Sequence, residues 1–261
     1  MLDNRYRLNE RTGKIVVVLP AYNEEAAIAK LLDRIADVMI RLPSLEYRVI
    51  VVDDGSTDST ASIIKSKKKL MPVVQIKHDK NIGFGTAIRD GFLECATLCV
   101  SGDIIISLDA DNTHTPSLIP EMVIKIQQGY DVVTASRYQN ESKTIGVPML
   151  RQFMSLIASF MFRLLFPISG VKDYTCGYRA YRAEVIKNAF KEYNGGFIDQ
   201  DGFQATADIL LKLRKMDLNF GEVPLLLRYD YKMSTSKMNL IETIRNTFIL
   251  VFKKIFSLLY S

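Results

Sequence analysis

Asp109 and Asp111 stand two residues apart, directly behind the apolar run Asp103–Leu108. Side chains two apart on an extended chain point the same way. Two carboxylates held together repel unless a cation lies between them. Mg²⁺ and Mn²⁺ take oxygen ligands and commonly join one or two carboxylates to a substrate diphosphate. The pair therefore predicts a Mg²⁺ or Mn²⁺ site that neutralises charge on a departing nucleoside diphosphate. A second acidic pair, Asp53-Asp54, opens the stretch Gly55-Ser56-Thr57-Asp58, in which Gly55 permits a tight turn and Ser56, Thr57 or Asp58 suits a helix cap. One carboxylate of this pair can take the ring N–H of a pyrimidine or guanine. Pro20-Ala21-Tyr22-Asn23-Glu24 is a third cluster, with Tyr22 able to stack on a base or cover a sheet edge. Asn81-Ile82-Gly83-Phe84-Gly85 is a fourth, equally a phosphate cradle at a helix start or an ordinary loop.

The elements that must carry these clusters alternate. Lys14–Leu19, Tyr47–Val52, Val73–Lys77, Asp103–Leu108 and Asp131–Ala135 are compact apolar runs, as in strands buried on both faces. Between them, Glu24–Ile40, Thr57–Lys69, the stretch from Gly83 to Leu98 and a segment opening at Pro116 have helical spacing or helix-start chemistry. Lys65–Lys69 suits a solvated helix end. Repeated strand–helix units predict an α/β fold with a mostly parallel sheet flanked by helices. Ligands of such sheets bind beyond the carboxyl ends of the strands, where the acidic clusters fall. Later in the chain, Met149–Leu165 and Gln204–Leu213 predict helices, and Asp173–Arg182 and Phe220–Tyr229 predict extended chain. Asn239–Tyr260 predicts a last amphipathic helix. We divide the chain into one domain over 1–237 and an accessory helix over 238–261.

Composition bounds the chemistry. The 261 residues are 48% hydrophobic and 24% charged, enough for one large core. Lys and Arg number 34 against 29 acids, a mild excess that suits an anionic ligand or membrane surface. Without Trp or basic–aromatic interleaving, nucleic acid is not an expected partner. Cys95, Cys99 and Cys176 make no disulfide framework and are expected as buried thiols. Two histidines make a His-based zinc site improbable. The polar segment Met1–Lys14 lacks a signal's apolar stretch. No run reaches the ~18 apolar residues of a membrane span, so a cytoplasmic location is expected.

Taken in order, LPAYNEE (19–25), VVDDGSTDST (51–60), NIGFGTAI (81–88), ISLDADNTHTP (106–116), ASRY (135–138) and DYTCGYRAYR (173–182) resemble glycosyltransferase family 2, of the Rossmann-like GT-A fold. The resemblance runs from about Lys14 to Lys237 and is nearest to dolichol-phosphate mannose synthases and bacterial polyprenyl-phosphate glycosyltransferases. It implies an enzyme that inverts the anomeric carbon while moving a hexose from a GDP-mannose- or UDP-glucose-type donor. By that resemblance Pro20, Tyr22 and Glu24 contact the nucleoside, Asp53 and Asp54 lie near base and ribose, and Gly83 lines the site. Asp109, Ala110 and Asp111 meet metal and diphosphate. Some relatives place Gln where this chain has Thr113, which is too short for the metal set. Arg137 faces sugar or phosphates, and Lys237 lies near the diphosphate and acceptor phosphate. Ser234 stands where relatives have Gly. Arg228 and Lys232 are supporting cations.

An acceptor hydroxyl needs a general base, for which Asp208 and Asp173 are the candidates. A polyprenyl or dolichyl phosphate is already anionic and needs none, and Asp208 would then orient the sugar. A glycan hydroxyl acceptor, or a non-catalytic nucleotide-sugar binding module, are the alternatives. Met149–Leu165 has an apolar face opposite Gln152, Ser155, Ser159 and Arg163, which suits a core helix or a membrane surface equally. The last helix carries Ile244, Phe248, Val251, Ile255 and Leu258 opposite Arg245, Lys253 and Lys254. It would lie peripherally on the cytoplasmic membrane face, or pack on the domain, a second copy of the chain or a membrane partner protein.

Overall fold

A computed structural model describes residues 13–233 and 240–259, with side chains in the last stretch described from 242 to 256. Strands β1 (Ile15–Ala21), β2 (Tyr47–Asp53), β3 (Val73–Lys77), β4 (Ile104–Ser107) and β5 (Val132–Ser136) alternate with helices α1 (Ile28–Ile40), α2 (Thr60–Lys67), α3 (Phe84–Leu98) and α4 (Ile119–Gln127). Then follow β6 (Lys143–Ile145), α5 (Met149–Leu165), β7 (Arg179–Arg182), α6 (Ala183–Glu192), α7 (Ala205–Leu213), β8 (Phe220–Pro224), β9 (Leu226–Arg228) and α8 (Leu240–Leu259).

The main sheet has seven strands in the order β3-β2-β1-β4-β7-β5-β8. All neighbours are parallel except β7, which is antiparallel to both β4 and β5. The strands are continuous apolar runs because both faces are covered. Val16, Val18, Ile50, Val52 and Ile105 face α3, α6 and α7. Their alternates Ile15, Val17, Val49, Val51 and Ile106 face α1 and α4.

The structure departs from the sequence pattern in four places. Β1 runs through Pro20 to Ala21, whereas the proline predicts its end. This is tolerated because β4 pairs with β1 only as far as Val18, so no ladder on that side needs an N–H at Pro20. The predicted extended segment 173–182 is strand only over its last four residues, and its antiparallel insertion delivers 173–178 to the carboxyl ends of β4 and β5. Ser107 Oγ fixes that junction by donating to the Gly177 carbonyl at 2.7 Å. The predicted strand 220–229 breaks at Leu225 into β8 and β9, and β9 leaves the sheet to pair with β6. Helix α6 has no counterpart in the sequence expectations.

Candidate active site

Between β1 and β4 the chain changes direction across the sheet, the position where open α/β sheets bind ligands. Asp109 and Asp111 follow β4 at this point. Asp109 is half-buried, and its backbone N–H donates to His114 Nδ1 at 3.2 Å. Burial and the neighbouring Asp111 raise the Asp109 carboxyl, against the opposing pull of His114, Lys232 and Arg137. Burial pushes Asp111 up as well, but the Lys232 ammonium and the Thr113 hydroxyl hold it below the ordinary range. Thr113 donates to Asp111 Oδ1 through Oγ1 (2.7 Å) and N–H (3.1 Å). Lys232 Nζ pairs with Oδ2. Asn112 between them adopts φ of 63° and accepts from Arg34 Nη1 at 2.5 Å. Ala110 is buried.

Two carboxylates fit a divalent cation that arrives with phosphate oxygens, because Mg²⁺ keeps few protein ligands. Among the described residues, no group of three or more His, Cys, Asp or Glu forms a cage of its own.

Arg137 and Asp173 meet at one rim, from the carboxyl end of β5 and from the segment leading into its antiparallel neighbour β7. Arg137 follows β5, and its Nε and Nη2 donate to the two Asp173 oxygens at 2.7 and 2.6 Å. Backbone N–H groups of Arg137, Thr175 and Cys176 complete the shell around that carboxylate. Burial pushes the Asp173 carboxyl up, but Arg137 and these donors bring it below its ordinary value. Glu222 on β8 sets the turn, accepting the N–H groups of Lys172 and Asp173 at 2.6 and 2.7 Å. Arg137 Nη2 also donates to Thr175 Oγ1, which bonds Ser155 on α5, which receives the Tyr138 hydroxyl. Asp173 is thus a holder of Arg137 and a poor base.

On the other flank, the 21–25 loop is knitted to 54–60. Asp54 N–H donates to Ala21 O, Asn23 N–H to Ser56 Oγ and Glu24 N–H to Thr60 Oγ1. Glu24 is buried, four residues ahead of α1, in a turn whose carbonyl accepts Ala27 and Ile28. This shifts the predicted helix start from 24 to 28. Tyr22 is half-buried beside it. Asp53 ends β2 fully buried; Oδ1 accepts Ser56 N–H at 3.0 Å, while Oδ2 has no donor among the described residues.

Asp54 is committed inward. Its Oδ1 bonds His78 Nδ1 (2.8 Å) and Ile82 N–H, and its Oδ2 bonds Gly83 N–H. Gly83 N–H is spent on Asp54 and Gly85 N–H on Asp201 O at 2.7 Å, so neither glycine N–H is available to cradle a phosphate. The glycines serve close approach instead. A Cβ on Gly83 would lie 2.6 Å from Asp201 O, and one on Gly85 1.6 Å from Gln200 O.

Three further expectations are corrected. Asp208 is buried on α7 with Lys212 Nζ at 2.9 Å and Lys254 Nζ at 2.6 Å. Thr206, two residues earlier and so on the opposite side of the helix, is the one beside Gly177 and Asp109. A carboxylate flanked by two ammonium groups on the far side of α7 is not a base for this site. Arg228 points its guanidinium at Asp230 (2.9 and 2.8 Å) and stacks on Tyr231 at 3.9 Å, while Lys232 reaches the carboxylates. Lys254, expected on the side of the last helix opposite its apolar stripe, turns into the protein to reach Asp208. Lys237 lies outside the described residues. His114 escapes sequence reasoning although it stands three residues after Asp111; its position in the acidic loop is the signal that points to it.

The exposed surface is also informative. Helix α5 buries Ser159 and Phe162 while Leu150, Phe153, Leu156, Phe160 and Leu164 face outward. On α8, Leu250 and Val251 are buried and Phe248, Ile249, Phe252 and Phe256 are exposed. Among the described residues no helix is long and apolar enough to cross a membrane.

The profile of the family described as Glycosyl transferase family 2 matches residues 16–190. A dolichol-phosphate mannosyltransferase of Pyrococcus furiosus is 32% identical over 200 residues, 76% of this chain and 53% of the relative. An undecaprenyl-phosphate 4-deoxy-4-formamido-L-arabinose transferase of Shewanella sediminis is 36% identical over 187 residues, 69% of this chain and 51% of the relative. The chain thus spans about half the length of these curated relatives. Among solved structures, glucosyl-3-phosphoglycerate synthase of Mycobacterium tuberculosis, in complex with Mn²⁺, UDP and glucosyl-3-phosphoglycerate, aligns with a TM-score of 0.62 at 21% identity. That alignment covers 94% of this chain and 79% of that one. This likeness identifies the fold as GT-A.

Proposed function

The chain belongs to glycosyltransferase family 2, and from that premise we propose that it transfers a hexose, with inversion, from a nucleoside-diphosphate sugar to a polyprenyl phosphate at the cytoplasmic membrane face. The observation that carries the lipid acceptor is the placement of α5. Its exposed apolar face stands one hydrogen-bond chain, Ser155–Thr175, from Arg137. A prenyl chain on that face would bring its phosphate to the cationic rim. The relatives named for dolichol and undecaprenyl phosphates support the same reading.

In the proposed reaction the acceptor phosphate oxygen attacks the anomeric carbon as the bond to the donor diphosphate breaks. A phosphate nucleophile needs no base, which suits a site where both candidate bases, Asp173 and Asp208, are tied to cations. Asp109 and Asp111 would hold Mg²⁺ or Mn²⁺, which supplies positive charge to the leaving diphosphate. Arg137 would offset repulsion between the two phosphate groups. Like unit charges ~4 Å apart cost about 4 kcal/mol at an effective dielectric of ~20. Asp53, with an undonated buried oxygen, would take a base N–H, and Tyr22 and Glu24 would flank the nucleoside.

The test is a donor panel of GDP-mannose and UDP-glucose with Mn²⁺ or Mg²⁺, with and without polyprenyl phosphate in detergent. We expect radiolabelled sugar in the organic phase only when the lipid is present. Label that moves to a glycan while the lipid stays unlabelled overturns the acceptor.

A further inference from the structure

We propose that Lys232 is a tethered counter-ion of Asp111 that changes places with the incoming divalent cation, so that metal enters together with the donor diphosphate and not ahead of it. The proposal rests on the metal site proposed above and adds an order of entry to it.

Lys232 follows a single 3-10 turn, Tyr229–Tyr231, whose backbone is pinned. Arg228 N–H donates to Thr113 O at 3.0 Å, and Lys232 N–H to Tyr229 O at 3.1 Å. The Tyr229 hydroxyl accepts from Arg151 Nη1 at 2.6 Å. Gly146 lets the turn come close, since a Cβ there would lie 3.0 Å from Asp230 N. From this fixed base the four-carbon stem of Lys232 reaches Asp111 Oδ2. The two side chains are 12% and 14% exposed, so water screens the pair little.

Asp111 is thereby fully engaged, with Thr113 on Oδ1 and Lys232 on Oδ2. A metal ion at Asp111 must take one of these oxygens and would then stand beside an ammonium of its own sign. The surroundings are already rich in cations. Lys30 and Arg34 of α1 lie 5.5 and 5.4 Å from the Tyr231 ring, whose face also carries Arg228 with its charge paired to Asp230. A bare divalent ion adds charge to this cluster and leaves Lys232 without a partner. A metal carrying a nucleoside diphosphate brings anionic oxygens that Lys232 can turn to as it leaves Asp111. The flexible stem permits that turn without moving the pinned backbone.

The experiment is Mn²⁺ titration followed by the paramagnetic resonance of free Mn²⁺, without nucleotide and with GDP or UDP. It uses the full chain, Lys232→Met, Lys232→Arg and each combined with Asp111→Ala. We expect weak Mn²⁺ binding to the parent without nucleotide, tightened tenfold or more by a diphosphate. Lys232→Met should bind Mn²⁺ alone at least tenfold more tightly than the parent, with the nucleotide effect correspondingly reduced. Lys232→Arg, which keeps the charge, should follow the parent. If Lys232→Met binds Mn²⁺ alone no better than the parent, the exchange is wrong while the metal site stands. If Asp111→Ala leaves Mn²⁺ binding with nucleotide intact, the metal site itself fails and the exchange with it.

Discussion

The Arg137–Asp173 pair shows what burial does to a charge. Its carboxylate is fully enclosed and receives three backbone N–H groups besides the guanidinium. Removing one partner strands the other, which typically costs about 3–5 kcal/mol. We therefore expect Asp173→Asn to lower stability by that order in urea denaturation, and a paired apolar replacement of both residues to cost less than the sum of the singles. The pH dependence follows from the depressed carboxyl. Its contribution is complete above the ordinary aspartate value of about 3.9 and disappears as pH falls toward the lower folded value. Denaturation midpoints from pH 7 to 3 should fall more steeply at the acid end in the parent than in Asp173→Asn. At the neighbouring acids, Asp111→Ala should reduce kcat/KM at least about 100-fold, as loss of charge stabilisation at a leaving group does. These acids were visible in the sequence because residue type and a spacing of two declare them. The family resemblance marks Lys232 only as a supporting cation; that it pairs with Asp111, and that His114 accepts from Asp109 N–H, is set by the partners the fold brings.

Helices and strands were readable wherever hydrophobic period and both-face burial agreed, which covers β1 to β5 and α1 to α4. The facing of α5 was not. Its apolar residues repeat as in a core helix, yet Ser159 points inward with Phe162 while Leu150, Phe153, Leu156, Phe160 and Leu164 point out. Periodicity gives a stripe but not what the stripe faces. On the proposal that α5 and α8 lie on a membrane, each exposed Phe contributes about 1 kcal/mol, roughly half of a full burial. Phe252→Ser with Phe256→Ser should then weaken sedimentation with anionic vesicles roughly tenfold or more, while activity on detergent-dispersed acceptor persists. Unchanged sedimentation would remove α8 from the membrane surface. The glycine loop ahead of α3 was read evenly as cradle or connector, and close packing decides it. Gly85→Ala drives a methyl into Gln200 O. It should cost about 3 kcal/mol through overpacking. Gly129→Ala meets no described residue within 4 Å and carries the strain of its φ of 104°, about 1 kcal/mol. Thermal midpoints of the two variants separate contact from backbone strain.

The sheet order joins these parts into one assembly, and here the sequence was least informative. Strand direction is not written in composition, so the antiparallel β7 that brings 173–178 to the rim was unreadable. The same holds for α8, which we treat as an accessory element beyond the catalytic domain. Its Leu250 and Val251 enter the hydrophobic cluster under the sheet, and Lys254 neutralises one oxygen of the buried Asp208. Lys212 holds the other oxygen and also donates to the Gly196 and Phe197 carbonyls and to Asp199. That loop continues into Gln200 and Asp201, whose carbonyls close over Gly83 and Gly85, the segment gripped by Asp54. The last helix is therefore coupled, through one ion-pair cluster, to the loop packed against the flank proposed for the nucleoside. Lys254→Met should leave Asp208 with a single cation and lower the thermal midpoint. It should also weaken binding of a nucleoside diphosphate severalfold through the loosened 196–201 loop, although position 254 touches no part of the site. Calorimetric unfolding and nucleotide titration on the same variant check both. A lowered midpoint with nucleotide affinity unchanged would reduce α8 to a stabilising brace, and an unchanged midpoint would show that Lys212 alone suffices for Asp208.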